Sequence, residues 1–274
     1  MEFQGGIMPE LPEVETIKRQ LKRDILNKKI KEIIVIKNKL IKGTSPQTFK
    51  SKVEGKSIRD VSRRGKVLII KLEEDLFLIF HLKISGWLVL SEKIEKFSAV
   101  AFRFEDNKLL NFCDTRLFGE IRLIDDWRKF PFLKEMGPEP LDLNRKQFVE
   151  LFEKKKGKIK PLLMEQKFLA GIGNIYAQES LFCAGIHPER KVERIKKEEL
   201  EKIYLCLISI LKEAIKKKGT SADTYRQING EDGSYLPFLK VYQRDRKPCL
   251  KCKTPIKREV VGGRGTCFCP HCQR

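Results

Sequence analysis

The spacing of apolar positions changes character along the chain and predicts its elements. Behind Pro12, the residues Val14, Ile17, Leu21 and Ile25 recur at steps of three, four and four, which lays one apolar stripe along a helix. Pro12 suits a first helical turn, where its missing N–H is no loss. Residues 30–124 then read as strands. The segments Ile33–Ile36, Val67–Leu72, Leu76–Phe80, Trp87–Leu90, Val100–Phe104 and Leu109–Phe112 are short, apolar or β-branched, and parted by Gly, Asp or Asn turns. Many short strands behind one helix predict an antiparallel sandwich. The stretch 128–143, with Pro131, Gly137, Pro138 and Pro140, reads as a connection to a second domain. Beyond it the period turns helical. Leu200, Ile203, Leu207, Leu211 and Ala214 predict a long helix ending in Lys216–Lys218 and Gly219, cations followed by glycine as a helix C-terminus favours. Residues 219–238 are polar and Gly-rich and predict a flexible loop. No internal repeat or low-complexity segment is visible.

Composition narrows this picture. A chain of 274 residues fits one large domain or two modest ones, and 41% hydrophobic residues suffice for a core. No apolar run is long enough for a membrane span, and the start lacks the basic and apolar regions of a secretory signal. The reading is a soluble intracellular protein. The net charge of +20, from 57 Lys and Arg against 37 Asp and Glu, favours a polyanionic partner. Lysine-rich codon usage gives a blander account of the same surplus. Charge does not say which nucleic acid is bound, or whether chemistry follows.

The eight cysteines fall into two groups. Cys249, Cys252, Cys269 and Cys272 form two C-x2-C pairs, which in a cytosolic chain read as a zinc site rather than disulfides. Four thiolates close a tetrahedral shell and leave no position for water, so the zinc is structural, one ion per chain. His271 lies between two of them but is not needed. Cys113, Cys183, Cys206 and Cys267 are scattered and read as small core or surface residues. Lys251, Lys253, Lys257, Arg258 and Arg264 surround the zinc cysteines, either to grip a DNA backbone or as solvated surface. Gly171-x-Gly173-Asn174 precedes a helical stretch. It is either an ordinary tight turn or a helix N-terminus that offers N–H groups and an amide to a phosphate.

Met8-Pro9-Glu10-Leu-Pro-Glu-Val-Glu15 opens a longer series: Arg63-Arg-Gly-Lys66, His81-Leu-Lys-Ile-Ser-Gly86, Asp114-Thr-Arg-Leu-Phe-Gly119 and Met136-Gly-Pro-Glu-Pro-Leu141. It continues through Gly171-Ile-Gly-Asn-Ile-Tyr-Ala177, Gly185-Ile-His-Pro188, Gly219-Thr-Ser and the zinc cysteines. In this order and spacing the series resembles the formamidopyrimidine-DNA glycosylase family over residues 8–274. Residues 1–7 resemble nothing in it and read as a leader, a tag or a misplaced start.

The resemblance implies an α+β multidomain fold. An N-terminal β-sandwich with a leading helix spans 8–127, and a linker spans 128–143. A helix-two turns-helix domain with a base-capping loop spans 144–238, and a zinc finger spans 239–274. It implies double-stranded DNA with oxidised purines or abasic sites as partner, bound in a basic cleft with the damaged base flipped out. It also implies a monomer, no membrane, and a cytoplasmic, nucleoid-associated place in a bacterium. Pro9 matches the family's nucleophile once methionine is removed. Glu10 matches its acidic partner, and Lys66 a lysine reaching the lesion's flanking phosphate or base. Glu13 reads in part as a helix-start charge. Arg116 and Phe118 match residues that fill the gap left by the extruded base. The third wedge position, usually methionine, is Ile84 here, apolar but stiffer. Lys160 matches a DNA-facing lysine, and Asn174 and Arg264 match phosphate-gripping positions. The implied activity is excision of 8-oxoguanine and formamidopyrimidines followed by β,δ-elimination, with no redox cofactor. The alternatives are an endonuclease VIII-type enzyme for oxidised pyrimidines, a damage-binding protein without catalysis if a leader blocks Pro9, and a zinc-ribbon transcription factor. Leu11 and the loop 219–238 favour the purine enzyme over the first, and the N-terminal motifs argue against the last.

Overall fold

A computed structural model describes residues 8–222 and 224–274, so the expectation for residues 1–7 lies outside the described residues. Helix α1 (Leu11–Ile25) starts at Glu10, whose N–H donates to the Glu13 carboxylate at 2.9 Å and closes a capping box. Its stripe is buried as the period predicts: Val14, Ile17, Leu21 and Ile25 are all at most 1% exposed. Below it lie two sheets. One is antiparallel with order β1 (Ile30–Val35), β7 (Ser98–Phe104), β8 (Leu109–Asp114) and β6 (Gly86–Ser91). The other runs β2 (Ile41–Lys42), β9 (Glu120–Ile124), β5 (Phe77–His81), β4 (Val67–Leu72) and β3 (Ile58–Arg64), with only β2 parallel to its neighbour.

The inner faces of both sheets share one core. Leu68, Ile70 and Leu78 meet Val100 and Leu110, and the Phe80 ring packs edge-on against Phe102 and Phe112 at 5.9 and 5.5 Å. The outer face of β4, β5 and β9 is covered by the segment leading into α3 (Pro131–Lys134), where Phe130 and Phe132 line a cleft of about 190 Å³ with Val67, Ile79 and His81.

The sandwich holds elements that periodicity does not announce. Helix α2 (Pro46–Val53) is short and buries only Phe49 and Val53. What starts it is local: Ser45 Oγ accepts the Thr48 N–H at 3.1 Å, and Pro46 sits in the first turn. Strand β3 buries Ile58 and Val61 but carries four charged residues along an edge, so its apolar alternation is thin.

Residues Lys217–Leu236 form one compact unit with the chain up to Lys134. The stretch expected as a flexible loop of the helical domain is packed on the sandwich. Tyr225 and Ile228 join its core at 2% and 1% exposure, and the Leu90 N–H donates to the Ile228 carbonyl at 2.7 Å. Tyr225 and Ile228 stand three apart in a polar, Gly-rich run with no apolar residue three or four positions further on, which is why the sequence reads as a loop.

The second unit comprises Glu135–Lys216 and Pro237–Arg274. It contains α4 (Arg145–Glu150), α5 (Ile159–Met164), α6 (Asn174–Ala184), α7 (Lys197–Lys216) and the hairpin β10 (Lys257–Val261) and β11 (Arg264–Phe268). All five residues of the stripe predicted for α7 are buried. The hairpin turns on Gly262 and Gly263, both at positive φ, as a two-residue turn of that hand requires. Cys183 and Cys206, expected as small core or surface residues, form a disulfide between α6 and α7. Their spacing of 23 residues gave no hint, because the helical packing brings them together. Among the described residues no helix is long and apolar enough to cross a membrane.

Candidate active site and nucleic-acid interface

Pro9 and Glu10 are both buried where the chain enters α1. The carboxylate of Glu13 has two duties: one oxygen accepts the Glu10 N–H, and the other accepts the Thr220 N–H at 2.9 Å. Gly219, at φ +83°, lies so close that an added Cβ would come within 2.9 Å of that carboxylate. Glu13, read from sequence in part as a helix-start charge, therefore ties the Gly219-Thr-Ser segment to the residues beside Pro9. The next acid, Glu15, is a fixed hub. It accepts from Lys18 at 2.9 Å and Arg19 at 2.7 Å on its own helix and from Arg63 of β3 at 2.7 Å; burial raises its pKa, but the bonds from Lys18 and Arg19 and the charge of Arg63 together outweigh that and leave it below the usual carboxylate range.

Lys66 stands half-buried in the tight turn between β3 and β4, after Gly65 at φ +56°. His81 at the end of β5 lies in its field. Burial first, then the charges of Lys83 and Lys66, push its imidazole down to about 3. Its Nδ1 accepts the Lys83 N–H at 3.1 Å, so the neutral ring carries its proton on Nε2. Because the folded pKa lies below the unfolded one, the stability tied to a neutral His81 is complete above pH 6.5 and is lost as pH falls towards 3. Urea unfolding at pH 7 and pH 5 is expected to show a smaller loss in His81→Gln than in the parent. Equal losses would refute this.

The loop 115–119 is held by a single carboxylate. Asp114, 3% exposed, accepts the N–H groups of Arg116 and Leu117, each at 2.9 Å, that of Gly119 at 2.6 Å, and the Ser85 hydroxyl at 2.5 Å. Ser85 belongs to the loop that carries Ile84, and the Ile84 carbonyl accepts from Thr224 Oγ1 at 3.0 Å. The three wedge candidates thus sit on two loops pinned to each other. Arg116 and Phe118 point outward, Phe118 at 52% exposure, and Ile84 is half-buried. Gly119 has no room for a side chain: an added Cβ would meet the Phe112 ring at 2.7 Å. Asp114 was not singled out in the sequence, although its place at the head of the Asp-Thr-Arg-Leu-Phe-Gly run was the available signal.

In the second unit the candidates gather at α6. Asn174 occupies its first turn, and its amide donates to the Gly265 carbonyl at 3.2 Å, next to Arg264, which is exposed. The Gln166 side chain braces the preceding turn by accepting from the Gly171 N–H at 2.9 Å and donating to the Ile172 carbonyl at 2.8 Å. Gln178 Oε1 accepts the Cys267 N–H at 2.6 Å, and the buried Glu179 carboxylate accepts three successive N–H groups, from Lys240, Val241 and Tyr242. Burial raises its pKa above the usual range, partly offset by those donors. Lys160, expected to face DNA, instead has no solvent exposure.

The four zinc cysteines converge, with all sulfurs within 4.8 Å of one another. Cys249 and Cys272 are 3.9 Å apart and Cys252 and Cys269 3.4 Å. A tetrahedral shell with Zn–S of about 2.3 Å needs sulfurs about 3.8 Å apart, so the set fits zinc. Cys249→Ser is expected to abolish the bound zinc, measured by metal analysis, and most of the DNA binding, while the sandwich keeps its circular dichroism. Retained metal would refute it.

Three family models match in chain order. The formamidopyrimidine-DNA glycosylase N-terminal domain covers residues 8–121, its H2TH domain 136–226, and the zinc finger found in FPG and IleRS 246–274. The chain belongs to the formamidopyrimidine-DNA glycosylase family. A formamidopyrimidine-DNA glycosylase of Desulfitobacterium hafniense is 40% identical over 273 residues, covering 97% of this chain and 100% of that one. One of Bacillus cereus is 38% identical over 275 residues, 97% of this chain and 99% of the relative. Among solved structures, a Lactococcus lactis Fpg variant with Fapy-dG-containing DNA superposes with a TM-score of 0.90 at 37% identity, covering 97% and 100% of the two chains. The same organism's Fpg with abasic-site DNA gives 0.90 at 37%, covering 97% and 99%. The Fpg of Thermus thermophilus gives 0.87 at 34%, covering 97% and 98%.

Proposed function

We propose that this family member is a bifunctional DNA glycosylase and abasic-site lyase that excises oxidised purines, 8-oxoguanine and formamidopyrimidines, from duplex DNA. The observation that carries it is the join of Pro9 and Glu10 at the head of α1 to the Gly219-Thr-Ser segment through Glu13, in a chain that matches the family throughout. The relatives solved with Fapy-dG and abasic-site DNA agree with it.

The secondary amine of a terminal Pro9 attacks C1′ of the flipped nucleotide. The glycosidic bond breaks and the base leaves protonated, with Glu10 moving the proton and supporting ring opening. The resulting iminium draws electrons, so the C2′ proton is lost and the 3′ phosphate leaves with its bonding pair. A second elimination frees the 5′ phosphate, and water returns the amine. Lys66 holds the phosphate or base beside the lesion. Arg116 hydrogen-bonds the orphaned base, while Phe118 and Ile84 fill the gap in the stack. Asn174 and Arg264 grip the backbone, and the structural zinc keeps the Arg264 hairpin folded. The +20 charge supplies the general attraction to the phosphates and a place on the nucleoid.

Duplexes with a single 8-oxoguanine, formamidopyrimidine or thymine glycol test this. The purine lesions should yield a one-nucleotide gap flanked by phosphates. Faster cleavage at thymine glycol would favour an endonuclease VIII-type enzyme instead.

A further inference from the structure

Cys183 lies in the last turn of α6 and Cys206 midway along α7, with Cα atoms 5.8 Å apart, inside the range a disulfide spans without moving the backbone. Neither belongs to the zinc shell. Cys206 is buried, while Cys183 is half-buried and is the more open of the two. The remaining pair outside the shell, Cys113 and Cys267, is buried and unbonded.

The helix that the bond grips is the one the finger hangs from. Gln178 and Glu179 hold the finger's backbone, and Phe182, next to Cys183, packs against Val241, Cys249, Ile256 and Cys269. Just past the helix end, the Gly185 carbonyl accepts the Arg274 N–H at 3.0 Å and the Ile186 carbonyl accepts from Gln273 Nε2 at 2.9 Å. A shift of α6 against α7 would disturb all of these contacts together.

We propose that the Cys183–Cys206 bond is a redox-responsive staple that keeps the zinc finger seated by fixing α6 to α7. It closes by thiol–disulfide exchange with a low-molecular-weight disulfide. One cysteine thiolate attacks it and expels a small thiol, and the second cysteine then attacks the mixed disulfide and expels the other. The two protein thiols are oxidised by two electrons, the small disulfide is reduced, and its two thiols take up the two protons. A small thiol in excess reverses the sequence.

Alkylation in denaturant and chelator without reductant, read by mass spectrometry, should modify six of the eight cysteines, the bonded pair being spared, and all eight after reduction. Zinc release to a chromogenic chelator at raised temperature should be several-fold faster from phosphine-reduced protein than from oxidised protein. The double variant Cys183→Ser/Cys206→Ser should release zinc at the reduced rate whether or not reductant is present. If that variant fails to fold, Cys206→Ala alone, with reduced parent protein, gives the same reading. Modification of both Cys183 and Cys206 without reductant, in protein first equilibrated with a small disulfide and then freed of it, overturns the bond. Equal release rates from oxidised and reduced protein overturn its role in seating the finger.

Discussion

The form that begins at Pro9 is expected to be trapped by borohydride as a covalent adduct on duplex DNA containing 8-oxoguanine, and the form that carries residues 1–7 is expected not to be. Borohydride reduces the iminium that links protein to sugar, so the adduct reports the nucleophile itself. With the leader attached, the Pro9 nitrogen is part of a peptide bond and its lone pair is delocalised into the carbonyl. Strand cleavage should then fall by about 10³-fold or more, the scale on which loss of a nucleophile is felt. Binding to the same duplex should persist, because the phosphate-gripping residues are untouched. Pro9→Gly is a weak control, since its primary amine can also condense with the sugar, whereas an acetylated terminus blocks the chemistry with little change in shape. Equal trapping of the leader-bearing and trimmed proteins would remove Pro9 from its role and make Lys66 the leading nucleophile.

Asp114→Ala should have the next largest effect, although Asp114 is buried behind the wedge loop. Its carboxylate organises the backbone that carries Arg116, Leu117 and Gly119, and it joins that loop to the one carrying Ile84 through Ser85. Charge-assisted bonds of this kind contribute about 1.5–3 kcal/mol each and do not add, so a stability loss of about 3 kcal/mol is expected. Base release from an 8-oxoguanine duplex should fall about 100-fold, the cost of a misplaced positioning group. Cleavage of a preformed abasic site in a mismatched, unpaired stretch should fall much less, because no base has to be extruded there. Parallel loss on both substrates would show that Asp114 supports the fold in general and not the wedge.

The parts of this molecule that could be read from the chain are those whose physics is local. The stripe of α1, the stripe of α7 and the C-x2-C pairs each depend on spacing within one segment, and the structure places them accordingly. Strand β4 was legible because every residue of Val67–Leu72 except Lys71 is apolar, whereas charged β3 was not. The residues of the candidate site were legible through family motifs, but their supports were not. Glu13 needs Thr220, Asp114 needs Ser85, and Cys183 needs Cys206, and each pair meets only through tertiary packing. Lys160 reads as one basic residue among 57 cationic ones, and nothing in its neighbours announces complete burial.

The bond from Thr220 to Glu13 spans 207 positions, and it bears on synthesis at the ribosome. Tyr225 and Ile228 complete the core that α1 and the strands begin, so the first-made part of the chain waits for some of the last-made part. At about 5–20 residues per second that wait lasts on the order of ten seconds or more. The helices between are in the same position, because α6 meets the finger only when residues 237–274 have emerged. Neither unit is a contiguous stretch of chain, so neither completes its packing before its later segment has emerged. The nascent sandwich therefore leaves the tunnel with its Tyr225 and Ile228 sites unfilled, which makes the interval before release the stage most exposed to chaperone capture or aggregation.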